Sequence, residues 1–171
     1  MNDIKMDKDV EQWIKKIEKM KDGSVDLSSD EDLSIALMNL ISLEEHFYFT
    51  AMKTNNQNYF EFLKSIRELR KKLLKKIVVK PEGESWCISK HLLAGSMRLY
   101  EVGCKELSKN NKDEANSYFK SGFDLWSLFF AINLKMIGVT KLENDVVERE
   151  TKKMNKFSMI IKKIVDCCKE W

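Results

Sequence analysis

The chain has 171 residues, 43% hydrophobic and 33% charged, enough for the core and the surface of one domain. Thirty Lys and Arg against 27 Asp and Glu leave a formal charge of +3, too balanced to point to nucleic acid or a membrane through bulk charge. One proline and six glycines supply too little turn material for an all-β sandwich or barrel, and no β-branched run leads into the glycine-rich turn of a doubly wound α/β enzyme.

Periodicity and punctuation predict six helices, at roughly 3–21, 30–53, 57–79, 85–108, 112–137 and 141–170. The first carries Trp13, Ile14, Ile17 and Met20 and ends in a polar loop from Asp22 to Ser29. Asn55-Asn56 and Asn110-Asn111 break the next runs, Lys80-Pro81-Glu82-Gly83 is the strongest breaker, and Gly138 closes the fifth. Ser28-x-x-Glu31 and Thr140-x-x-Glu143 are capping boxes, and Asn111-x-x-Glu114 is a looser variant that places an oxygen ahead of a carboxylate. Connections this short make consecutive helices neighbours. The expected architecture is all-α: one domain over 1–171, with two antiparallel hairpins forming a four-helix core at 29–138. Residues 1–28 are then peripheral, and 139–171 add a C-terminal helix. Phe123, Trp126, Phe129 and Phe130 mark the fifth helix as the buried spine.

Polar groups fall inside the apolar stripes of the first hairpin. Wound at about 100° per residue, Leu33, Leu37, Leu40, Phe47 and Ala51 set one stripe, flanked by Ile41 and Tyr48, and Glu44 falls near its centre. Tyr59, Leu63, Ile66, Leu73 and Ile77 set the facing stripe, with Arg70 near the middle and Arg67 on its edge. A turn at Asn55-Asn56 brings Glu44 level with Arg67, and Arg70 one turn farther on. A lone carboxylate in a core is costly, so Glu44 is expected to meet one or both arginines. Such a cluster is a structural ion pair, or the floor of a ligand pocket lined by Glu44, Arg67, Arg70, His91 and Arg98, with Arg70 as a bidentate anion clamp.

His46 and His91 are the only histidines, and neither stands in a Glu-x-x-His pair, which argues against a di-metal carboxylate site. Cys87 and His91 share one face of the fourth helix, and Arg98 continues it. Sulfur and imidazole there could bind zinc only with further ligands from Glu45, His46 or Cys167-Cys168, so no metal or cofactor is expected. Nucleophile elbows and phosphate loops are lacking, and so is the arginine that precedes the histidine in HEPN-type ribonucleases. With no CxxC pair and no hydrophobic N-terminal region, reduced cysteines in a cytoplasmic protein are expected. The longest apolar run, Leu125 to Ile137, is short of the ~20 residues that cross a bilayer, and no membrane contact is expected.

Lys64, Lys71 and Lys75 form a basic side of the third helix, either a solvated face or a contact for RNA or another anionic partner. In the last helix Val147, Met154, Phe157, Ile161, Ile164, Cys168 and Trp171 make a heptad seam, fit to pack on the bundle, on a partner or on a second copy as a homodimer. Leu99, Val102, Gly103, Ala115 and Phe119 are spaced in a way that resembles one tetratricopeptide unit, which would imply peptide binding on a concave surface. Glu106, Gly122 and Ser127 depart from that pattern, and the likeness describes hairpin packing. The expected function is a non-enzymatic interaction or adaptor protein that uses a helical groove or the C-terminal seam. A ligand- or metal-binding bundle at Glu44, Arg67 and Arg70, and an RNA-associated protein, are the alternatives.

Overall fold

The computed structural model describes residues 28–81 and 83–135. They form four helices: α1 (Ser28–Thr54), α2 (Asn58–Ile77), α3 (Ser85–Ser108) and α4 (Lys112–Asn133). No strand occurs among the described residues. The expected helices at 3–21 and 141–170 lie outside them. Helix α1 packs against α2, α3 against α4, and α1 also against α3.

Both Asn-Asn pairs turn the chain by the same local device. Asn55 (φ 51°) and Asn110 (φ 67°) adopt the left-handed conformation that asparagine tolerates better than most side chains. Asn56 Oδ1 then accepts the backbone N–H of Asn58 at 3.1 Å and starts α2. Asn111 does not make the expected cap on α4. Its Nδ2 instead donates to Glu106 Oε2 at 2.7 Å, and Lys109 Nζ donates to Glu106 Oε1 at 2.6 Å. The amide is drawn backward to a charged acceptor at the end of α3, the stronger of the two bonds open to it. Helix α4 also stops at Asn133, short of the expected residue 137. Lys135 turns left-handed there (φ 57°), its N–H bonded to the Ile132 carbonyl.

The main apolar cluster sits at one end of the molecule. Leu37 and Met38 of α1, Leu74 and Val78 at the end of α2, Leu93 of α3 and Trp126, Phe129 and Phe130 of α4 form one cluster. Each buried Leu or Phe side chain stabilises the fold by about 1.5–3 kcal/mol. Half-buried Phe123 joins the cluster at its edge, so the four aromatics do make the interior face of α4. One chain of bonds runs inside: Trp126 Nε1–H donates to Ser34 Oγ at 2.8 Å, and the Ser34 hydroxyl donates to the Glu31 carbonyl at 2.6 Å.

Helices α3 and α4 approach closely because small residues face each other. Ser85, Ser89, Ser96 and Gly103 line the buried side of α3, opposite Ala115 and Gly122. Ser96 Oγ–H donates to the Gly122 carbonyl at 2.8 Å, and a Cβ on Gly122 would stand 3.1 Å from the Ser96 carbonyl oxygen. Farther along, Asn133 Nδ2 donates to Ser89 Oγ at 3.0 Å.

Two outcomes are expected. Gly122→Leu forces α3 and α4 apart and lowers stability by about 1–3 kcal/mol in denaturant unfolding. Asn111 and Lys109 hold the Glu106 carboxyl below the usual carboxylate range, so their contribution is present above that range and lost as pH falls through the lowered value. In an NMR carboxyl titration, Asn111→Ala moves the Glu106 midpoint upward.

Candidate functional site

Among the expected polar residues, the structure brings Glu44 and Arg70 together. Arg70 Nε–H donates to Glu44 Oε1 at 2.7 Å and Nη2–H to Oε2 at 3.1 Å, a bidentate pair. Their side chains are 3% (Arg70) and 13% (Glu44) exposed. The clamp geometry that an external anion would need is therefore filled by the neighbouring helix.

Arg67 is exposed and does not meet Glu44. Arg67 is turned about 60° from Arg70 around the axis of α2, toward solvent, so Arg70 is the arginine that faces Glu44. Arg98 instead forms an exposed ion pair with Glu45, which ties α3 to α1. His91, Cys87 and His46 are exposed. Among the described residues no three His, Cys, Asp or Glu side chains are grouped to hold a metal ion. Lys64 and Lys75 are exposed, and half-buried Lys71 is bonded to Glu68. No helix among the described residues is long and apolar enough to cross a membrane. The interaction seam of Met154, Phe157, Ile161, Ile164 and Trp171, and Cys167-Cys168, lie outside the described residues.

An apolar surface at the other end of the molecule is the feature that the polar motifs did not indicate. Spacings of four and three residues along α1 connect Ser34, Met38, Ile41, Glu45, Tyr48 and Met52 into one seam. The same spacing along α3 connects Leu93, Met97, Tyr100, Cys104 and Leu107. Both seams begin inside the core: Ser34, Met38 and Leu93 are buried, and Ile41 and Met97 pack on the cluster. Glu45 and Arg98 bridge the two helices where the core ends. Past that bridge the seams run on uncovered, with Tyr48 48%, Met52 61%, Tyr100 53% and Leu107 49% exposed. Phe49, Phe60 and Phe62 extend the apolar surface around the α1–α2 turn, where Phe47 stacks on Tyr59 and Phe62 at ring separations of 6.3 and 5.6 Å.

A periodic signal for this surface was present in the sequence. Tyr48 flanks the α1 stripe there, but only the structure shows that no described element lies over it. No protein-family model, curated protein or solved structure matches the chain.

The ion pair has a measurable signature. Glu44→Ala leaves the Arg70 guanidinium buried without its partner and is expected to cost about 3–5 kcal/mol in denaturant unfolding. The double variant Glu44→Leu/Arg70→Met removes both charges and is expected to recover most of that loss. A loss below about 1 kcal/mol for Glu44→Ala would show that water already screens the pair.

Proposed function

We propose that this protein is a non-enzymatic interaction module that receives an amphipathic helix at the end of the bundle where its two seams leave the core. In this reading α1–α2 and α3–α4 are two antiparallel hairpins that share a core at one end only, and the expected helices at 3–21 and 141–170 flank them. The carrying observation is the exposure of Tyr48, Met52, Tyr100 and Leu107 at spacings that continue the buried seams. Residues at these spacings form ridges that another helix fills with side chains of its own three- and four-residue rhythm. The residue types agree. Tyrosine gives a rigid apolar ring with a polar tip, and methionine adapts to the shape of what it meets, which is why both are enriched at interfaces. A contiguous exposed apolar patch of this kind marks interaction surfaces on soluble folds.

Selection from a phage-displayed library of amphipathic helical peptides tests the reading. Peptides with apolar residues every three or four positions are expected to bind the wild-type protein and to lose at least about tenfold in affinity for Tyr48→Asp/Met52→Asp. Both positions are exposed, so the double variant is expected to keep its stability within about 1 kcal/mol. Equal binding to the double variant, or failure to select any peptide, overturns the reading.

A further inference from the structure

The chain after Lys135 carries a segment with the required pattern. Met154, Phe157, Ile161, Ile164, Cys168 and Trp171 repeat at three- and four-residue intervals, preceded by a charged stretch from Glu143 to Lys153. Where that segment starts follows from the described helices. The Trp126–Ser34 hydrogen bond sets the last turns of α4 beside the first turns of α1. The chain therefore leaves α4 at the end of the molecule that holds the core, and the uncovered seams lie at the other end.

Length decides whether the segment can reach them. Along α1, Tyr48 and Met52 lie about 30 and 36 Å from Ser28 at ~1.5 Å per residue. A helix over 141–170 is ~45 Å long; after Val147 its seam is interrupted at Glu150 and resumes at Met154, ~20 Å along it. Laid parallel to α1 from the core end, it brings Phe157 level with Glu44, Ile161 with Tyr48, and Ile164 and Cys168 to either side of Met52. Its charged first half then passes the part of α1 that α3 and α4 already cover. The segment before Ser28 fits less well. Run back along α1 from the same end, its apolar residues Met20, Ile17, Ile14 and Trp13 fall opposite the first half of α1, short of Tyr48.

We infer that the chain's own residues 154–171 occupy the surface of Tyr48, Met52 and Tyr100, with Phe157, Ile161 and Ile164 as the inserted side chains. This rests on the reading of that surface as a helix-docking site and names its resident occupant.

Disulfide trapping in the full chain tests the inference. In a Cys87→Ser/Cys104→Ser background, Met52→Cys under mild oxidation is expected to form an intrachain disulfide with Cys167 or Cys168. The bond should form at least about tenfold faster than with Lys64→Cys, an exposed position off both seams. Linked peptides identified by mass spectrometry report the partner. Equal rates at the two positions, disulfides only between chains, or no disulfide at Met52→Cys overturn the inference; interchain bonds alone would assign the surface to a second copy. A second measurement adds a synthetic peptide of residues 141–171, in excess, to the full chain. Saturable binding that Tyr48→Asp/Met52→Asp weakens at least about tenfold supports the inference, and no binding counts against it. If library peptides bind while both measurements fail, the docking surface stands and only its assigned occupant falls.

Discussion

The pairing of Glu44 with Arg70 is the constraint around which the first two helices are organised. A carboxylate and a guanidinium that are both nearly buried must meet, because either one alone would carry a desolvation cost of several kcal/mol. The bidentate geometry tolerates little rotation or sliding of α2 along α1, so the pair fixes which residues of the two apolar stripes come into contact. It also stands next to Glu45, whose bond to Arg98 joins α1 to α3. Two adjacent acids thus anchor α1 to two different helices at the level where the apolar cluster ends.

On the other side of the core the constraint is steric. Ser96, Gly103 and Gly122 remove side-chain bulk between α3 and α4, so their backbones come near enough for a hydroxyl on one to bond a carbonyl on the other. One pair of helices is held by charge and the other by the absence of side chains. The apolar cluster joins the two where they overlap. Beyond the overlap α1 still packs on α2 and α3 on α4, but the seam faces of α1 and α3 keep the spacing of packed helices with no described helix over them, and this gives the exposed tyrosines and methionine their meaning.

Much of this was legible in the sequence, for physical reasons that can be named. The helix limits followed from the Asn-Asn and Lys-Pro-Glu-Gly breaks: asparagine tolerates the left-handed turn seen at Asn55 and Asn110 better than most residues, and Lys80 takes the same conformation in the other break. Glu44 and Arg70 were visible as charges at apolar positions. The choice of Arg70 over Arg67 follows the stripe, where Arg70 is central and Arg67 marginal, and not the turn register, which sets Glu44 level with Arg67. Asn111 has the spacing of a cap, but the competing acceptor on Glu106 lies in the preceding helix, and a local motif does not register it. The uncovered seams were harder still. A seam reads the same in sequence whether it is buried or bare, since exposure depends on where the other helices stop.

The hydrogen bond between Trp126 and Ser34 joins residues 92 positions apart, whereas the contacts of α1 with α2 and of α3 with α4 close only short loops. Chains form nearby contacts first, because closing a long loop sacrifices more freedom before it yields any stabilisation. The two helix pairs can therefore organise early and independently, with the indole–hydroxyl contact sealed last as the halves come together. Loop closure thus favours joining the halves after each has formed, with the Trp126 indole buried at their junction.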